Sequence, residues 1–147
     1  MAMWLYQLSQ LKWPPSRFRV EIWEGERWRW DTLKIQRLDP ERKGPQPGDI
    51  VVFYYAPYGG QEGGFYGWSV ITEFYEAETK YLYFRPVAPT DFMKMHPWND
   101  EKSKEIVDRI RGGFRQGTLW YVPPEIADEI RRGFHCWVTG GMGKVAI

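Results

Sequence analysis

Cysteine and histidine are scarce in this sequence, which contains one cysteine, Cys136, and two histidines, His96 and His135. A single cysteine cannot form an internal disulfide or a cysteine-built zinc site, and it is typical of a reducing compartment, so we expect a cytoplasmic protein. Two isolated histidines, neither in a metal or hydrolase motif, cannot assemble a usual zinc site without several carboxylates. We therefore predict no metal and no organic cofactor.

Long apolar runs and an excess of charge of one sign are also missing. No stretch approaches the ~20 apolar residues that cross a bilayer, and the first residues lack the basic-then-apolar pattern of a signal peptide. Twenty Lys and Arg against nineteen Asp and Glu give a net charge of +1, so no global field attracts the chain to nucleic acid. Any nucleic-acid contact must therefore come from a local patch.

Aromatic residues, in contrast, are abundant. Nine Trp, nine Tyr and eight Phe make up 18% of the 147 residues. Such rings can fill the core of a small domain, or they can line a cleft for a flat or cationic ligand. The length is that of one domain, and we predict a single domain over residues 1–147.

The hydrophobic period changes from 2 to 3.6 near residue 100, which predicts strands followed by helices. Helices are expected at about 101–112, with Asp100 as the N-cap, and at about 124–132, with prolines in the first turn. Strands are expected at 3–9, 17–23, 27–35, 48–55, 65–76, 80–87 and 118–122. This pattern predicts a β-rich α+β fold: a small curved barrel of about 5–7 mainly antiparallel strands with two short helices.

Covalent chemistry is poorly supported by the residues present. His135 and Cys136 are adjacent, so on a strand they would point to opposite faces and could not act as a thiol dyad. The glycine-rich segment 57–64 lacks the Lys-Ser/Thr ending of a phosphate loop and is interpreted as a hairpin tip. An enzyme is therefore the less favoured interpretation.

Two segments carry groups suited to a ligand. Residues 89–100 hold Lys94, His96 and Trp98 in a stretch that is neither strand nor helix, where packing at one end of the barrel and a site are equally supported. Residues 115–121 combine amide, glycine, hydroxyl and ring groups that suit a nucleobase or another flat polar heterocycle. These groups are Gln116, Gly117, Thr118 and Trp120.

The ordered set formed by residues 3–9, Trp30-Asp31, residues 47–55 and residues 67–71 resembles the EVE domains. These belong to the PUA-like superfamily, with the ASCH and YTH domains. The resemblance implies a PUA-like pseudobarrel that holds a modified or flipped base in an aromatic-walled pocket. The sequence departs from the family at residues 7–10, Gln-Leu-Ser-Gln, where EVE domains commonly carry Lys-Ser-Glu-Pro.

These observations favour a non-catalytic nucleic-acid-binding domain that reads one nucleobase, modified or flipped bases included, with DNA and RNA both open. One alternative is a nucleic-acid-processing enzyme, such as a weak ribonuclease, on the same scaffold; a second is a small-metabolite or protein-interaction module. No catalytic residue is predicted, and the oligomeric state stays open. The predicted ligand-binding residues are Gln7, Ser9, Trp30, Asp31, Tyr55, Lys94, His96, Trp98, Gln116, Gly117, Thr118 and Trp120.

Overall fold

A computed structural model provides the coordinates of the chain. It describes residues 2–24, 29–31, 35–37, 44–72, 81–88, 92, 94–95, 98–112 and 119–134. For 29–31, 35–37 and 81–88 the description covers the backbone alone.

Strands dominate the first two thirds of the chain and helices the last third. The elements in chain order are β1 (Met3–Leu8), α1 (Pro15–Phe18) with a π-helical turn (Arg19–Trp23), β2 (Arg29–Asp31), β3 (Ile35–Arg37), β4 (Ile50–Tyr55), β5 (Gly64–Ile71), β6 (Tyr81–Ala88), α2 (Asp100–Arg111), β7 (Leu119–Val122) and α3 (Pro124–Gly133).

All seven strands belong to one sheet, with the order β2-β6-β5-β4-β1-β7-β3. The pairs β1–β4 and β3–β7 are parallel, and the other four pairs are antiparallel. The prediction of five to seven mainly antiparallel strands is therefore confirmed. The described strands do not close into a ring, because β2 and β3 lie at opposite ends of the order.

The segment 17–23, predicted to be a strand, is helical, so that prediction was wrong. Pro15 occupies the first turn of α1, where its fixed φ and missing N–H favour a helix start. The alternation of Phe18, Val20 and Ile22 does not correspond to one buried face, because Val20 is 58% exposed. The buried pair is instead Phe18 and Trp23, which lie at the two ends of the π-helical turn.

Both predicted helices are present and pack on the sheet. Helix α2 begins one residue earlier than expected, and its N-cap is Asn99, whose side-chain oxygen accepts from the N–H of Lys102 at 2.8 Å. Asp100 was wrongly predicted as the cap, and it contributes instead a negative charge in the first turn. The predicted apolar stripe of α2 is buried against the sheet: Ile106, Val107 and Ile110.

Strand β4 is buried on both sides, as its continuous apolar run predicts. Alternate side chains enter two separate cores. The helix-side core contains Met3, Leu5, Ile50, Val52, Tyr54, Phe65, Trp68, Ile106, Val107, Ile110, Trp120, Val122, Ile126, Ala127, Ile130 and Phe134. The aromatic core, on the opposite face, contains Trp4, Tyr6, Leu8, Phe18, Trp23, Val51, Phe53, Tyr55, Ile71, Phe92 and Leu119.

Asp49, in the turn before β4, ties the start of the chain to the sheet. It is buried, and its Oδ1 accepts from the N–H of Ala2 at 2.9 Å. Its Oδ2 accepts from the indole Nε1 of Trp4 at 3.1 Å and from the N–H of Gln46 at 2.9 Å. Gly48 adopts φ 92°, which a residue with a side chain rarely does. Gly48 and Asp49 therefore stabilise this turn.

Candidate functional site

Two of the aromatic residues predicted to bind a ligand, Tyr55 and Trp120, do not share a cleft. Tyr55 lies in the aromatic core and Trp120 in the helix-side core, on opposite faces of the sheet, and both are fully buried. The hydroxyl of Tyr55 donates to the carbonyl oxygen of Trp13 at 2.6 Å. Its burial raises its pKa well above the usual range. The structure describes only the backbone of Trp30 and Asp31, in β2.

The described part of segment 89–100 is held by packing and ion pairs. Trp98 is half-buried and meets the rings of Phe65 and Phe134 edge-on, with centroids 5.9 and 5.3 Å away. Lys94 Nζ lies 3.1 Å from Glu62 Oε2 and 2.5 Å from Asp100 Oδ1. Although desolvation acts to lower it, these two hydrogen bonds raise the pKa of Lys94.

Four of the predicted site residues lie outside the described residues: His96, Gln116, Gly117 and Thr118. Two others, Gln7 and Ser9, do meet at a cavity. It has a volume of about 270 Å³ and lies where the parallel strands β1 and β4 end side by side. Its walls are residues 7–11, after and within the end of β1, and residues 56–58, directly after β4.

Two glutamines in the cavity wall differ in their hydrogen bonding. Gln10 is buried, and its Nε2 donates to the carbonyl oxygens of Ala56 at 3.1 Å and Glu62 at 2.9 Å, which ties the loop after β1 to the β4–β5 hairpin. The Oε1 of Gln7 is also shielded from solvent, yet it accepts no hydrogen bond within the described part of the chain. A buried acceptor without a donor is unfavourable and uncommon in folded proteins.

The loop after β1 is braced by its own hydrogen bonds. Ser9 Oγ accepts from the N–H of Lys12 at 3.2 Å, and the carbonyl oxygen of Ser9 accepts from the N–H of Trp13 at 2.8 Å. Arg17 Nη1 donates to the carbonyl oxygen of Lys12 at 2.8 Å, and its guanidinium lies 3.9 Å from the centre of the Trp13 ring. This wall of the cavity is therefore largely pre-formed.

The opposite wall ends in a tight hairpin turn that carries an exposed ring. Tyr58 and Gln61 exchange two backbone hydrogen bonds, of 3.1 and 2.8 Å, across Gly59 and Gly60. The two glycines have φ of 56° and 80°, as a type I′ turn requires. Tyr58 is 57% exposed, and Leu11, across the cavity, is 70% exposed. Two of the three large exposed apolar side chains among the described residues thus flank this cavity.

Sequence reasoning identified the hairpin tip at 57–64 but missed Tyr58, Leu11 and Gln10 as cavity residues. For Tyr58 a signal was available: the pair Gly59-Gly60 follows it directly, and a two-residue turn leaves the preceding ring at the tip of the hairpin. Among the residues that the structure covers, no three His, Cys, Asp or Glu side chains form a metal-binding group. No helix within that part is both long enough and apolar enough to span a bilayer.

Solved structures share this fold at low sequence identity. Protein PSPTO5229 from Pseudomonas syringae has 15% identity and a TM-score of 0.57, over 89% of this chain and 98% of that one. The N-terminal domain of Thermococcus gammatolerans McrB, solved bound to m5C DNA, has 14% identity and a TM-score of 0.52, over 95% of this chain and 100% of that one. Human THYN1, in complex with 5-methylcytosine-containing DNA, has 12% identity and a TM-score of 0.51, over 88% of this chain and 95% of that one.

The chain shares the fold of these structures, which confirms the PUA-like α+β fold predicted from the sequence. No protein-family model matches the chain, and no curated protein matches it.

Proposed function

We propose that this protein is a non-catalytic nucleic-acid reader that holds one base in the cavity at the ends of β1 and β4. Methylated cytosine in DNA is the first candidate, because two proteins of the same fold were solved with DNA containing 5-methylcytosine. The observation that carries the proposal for this chain is the cavity itself, with Gln7 in one wall and the exposed ring of Tyr58 in the other.

The size of the cavity supports a single ring as the ligand. Its volume of about 270 Å³ lies just below the ~300–1,000 Å³ typical of pockets for drug-sized molecules. A base reaches such a pocket from single-stranded nucleic acid or by flipping out of a duplex. The loop after β1 keeps its shape through hydrogen bonds of its own, so little ordering is required on binding.

Tyr58 and Gln7 supply different parts of the interaction. The exposed ring of Tyr58 offers a stacking surface, which contributes ~1–3 kcal/mol for a base. The amide of Gln7 offers hydrogen bonds to a base edge, which contribute ~1–3 kcal/mol of discrimination. Together these terms amount to about 2–6 kcal/mol, less than the ~8 kcal/mol of a micromolar complex, so weak binding is expected from a surface with a net charge of +1.

Phosphate contacts are expected to be few. Lys12, exposed beside the cavity, makes no ion pair with any residue that the structure describes, whereas Arg17 lies 2.6 Å from Glu21. Binding should therefore weaken with salt, but with a shallow slope. Lys12→Met should reduce that slope by about one while leaving the preference among bases unchanged.

Fluorescence anisotropy with short labelled duplexes tests the proposal. One duplex carries a single central 5-methylcytosine, a second carries cytosine, and a matched RNA serves as a third probe. We expect preferential binding of the methylated duplex, and Tyr58→Ala should weaken it by about 1–3 kcal/mol.

Val20→Ala is the matched control, since Val20 is also a large exposed apolar residue but does not line the cavity. It should bind as the wild type does. Absence of binding to all three probes, or binding that Tyr58→Ala leaves unchanged, would contradict the proposal.

A further inference from the structure

The hairpin between β4 and β5 leaves its strand ladder before it reaches its tip. Strand pairing ends at Tyr55 and Gly64, and it resumes as a single bridge between Tyr58 and Gln61. The two limbs of the hairpin run between these pairs, outside the ladder. A tip that is joined to its sheet through such limbs keeps its position only if other contacts hold them, because local stability follows the local contacts.

Gln10 contacts both limbs in this interval. Its Nε2 donates to the carbonyl oxygen of Ala56 on the first limb, at 3.1 Å, and to that of Glu62 on the second, at 2.9 Å. A carbonyl oxygen only accepts, and an amide nitrogen has two donors, so the orientation of the amide is fixed and both donors are used. Gln10 is buried, and leaving the two carbonyl oxygens without their donor is therefore unfavourable.

The same side chain joins the two walls of the cavity. Gln10 belongs to the wall formed by residues 7–11, and Ala56 and Tyr58 belong to the facing wall. The loop that carries Gln10 is braced by hydrogen bonds of its own, so its position does not depend on the hairpin. Gln10 therefore holds the hairpin, and the exposed ring at its tip, against a pre-formed wall.

We propose that Gln10 is a positioning residue: by holding both limbs of the hairpin, it fixes the ring of Tyr58 beside the cavity before a base binds. This inference rests on the proposed function. Because both donors of Nε2 are occupied, Gln10 acts on the base through Tyr58. Without Gln10 the tip must be ordered during binding, and that ordering should lower the affinity about two- to tenfold.

NMR relaxation of the ligand-free protein tests the first half of this role. Gln10→Met keeps the unbranched length of the side chain but removes both donors. Order parameters of residues 57–61 should be near ~0.85 in the wild type and should fall below ~0.6 in Gln10→Met. Asp49→Asn is the matched control, because it weakens hydrogen bonds of another buried polar residue at the opposite end of β4. It should leave the order of 57–61 unchanged.

Binding tests the second half, by chemical-shift titration with the methylated and unmethylated duplexes. Gln10→Met should bind the methylated duplex about two- to tenfold more weakly, with the ratio between the two duplexes unchanged. Asp49→Asn should bind as the wild type does, although its Tm falls, which separates positioning from a loss of stability. In a Tyr58→Ala background, Gln10→Met should cost no further affinity, since it acts through that ring.

Each outcome decides between this role and the function on which it rests. If the wild type binds no duplex, base reading is wrong, and the role of Gln10 in it is wrong too. If the wild type binds, the role of Gln10 alone is overturned by unchanged order or affinity in Gln10→Met, by a changed ratio between the duplexes, or by a further loss in the double variant. Should Gln10→Met fail to fold, Gln10→Asn replaces it with the same expectations, because its amide is one methylene too short to reach both carbonyl oxygens.

Discussion

The aromatic core and the cavity both include residues in or next to strands β1 and β4, but they differ in how far their rings are buried and in whether their groups have partners. In the core, Phe53 is fully buried, with the rings of Phe18 and Phe92 at centroid distances of 5.4 and 5.9 Å. At the cavity, the ring of Tyr58 is 57% exposed, and Gln7 Oε1 has no donor among the described residues. Rings therefore pack on one another in the core, whereas the cavity leaves a ring at the surface and an amide oxygen without a partner among the described residues.

The largest expected effect is on stability, from Phe53→Ala in the aromatic core. Removing a buried ring leaves a void among its neighbours and should lower the free energy of unfolding by about 3–5 kcal/mol. Tyr58→Ala should change that free energy by less than about 0.5 kcal/mol, since the ring is at the surface. Urea titrations of both variants provide the measurement. Equal losses in the free energy of unfolding would contradict the difference between the two regions.

A smaller effect is expected at Asp49, which belongs to a motif of the EVE resemblance but does not line the cavity. Asp49→Ala removes three hydrogen bonds and should lower the free energy of unfolding by about 2–4 kcal/mol. Asp49→Asn keeps one acceptor oxygen and should lose less.

Binding of the methylated probe, measured for Asp49→Asn under conditions where it is folded, should match that of the wild type. Normal stability combined with lost binding would instead place this aspartate in the functional site.

High pH should weaken the fold through the helix-side core by about 2 kcal/mol. Burial, followed by the charge of Asp108, raises the pKa of Tyr54 to about 12, above its unfolded value of about 10. A raised phenol pKa favours the neutral form in the folded state. Its contribution is therefore fully present below pH 10 and is lost as the pH rises towards 12.

Urea titrations between pH 9 and 12 should show this decline in the wild type, and Tyr54→Phe should flatten it. An identical decline in both proteins would assign the effect to other groups, Tyr55 and Tyr66 first, since burial raises the pKa of both.

The elements that the sequence predicted correctly are those with strong local signals. Helix α3 has two prolines at its start and basic residues in its last turn, and β4 is a continuous apolar run behind a Pro-Gly turn. Local signals also misled at 17–23, where alternation of charged and apolar residues resembled a strand. A helix forms there because the prolines before Ser16 favour a helix start, and because this helix buries Phe18 and Trp23.

The candidate site was only partly predictable, because ring content does not reveal which face a ring occupies. Tyr55 and Trp120 both have side chains that could line a ligand pocket. They lie in different cores, because the side chains of a strand alternate between the two faces of the sheet. Gln7 and Ser9 were predicted from their place at the end of the first strand. Tyr58 was missed, because its approach to residues 7–11 depends on the parallel pairing of β1 with β4.

The sequence alone determined the periodicity of strands and helices, the turns at its glycines and prolines, and the low net charge. These properties depend on neighbouring residues, so they can be read locally. Only the tertiary structure decided that Gln10 finds two carbonyl partners while Gln7, three residues earlier, finds none for Oε1 among the described residues. Hydrogen bonding of a buried amide depends on groups brought close by the fold from distant parts of the chain.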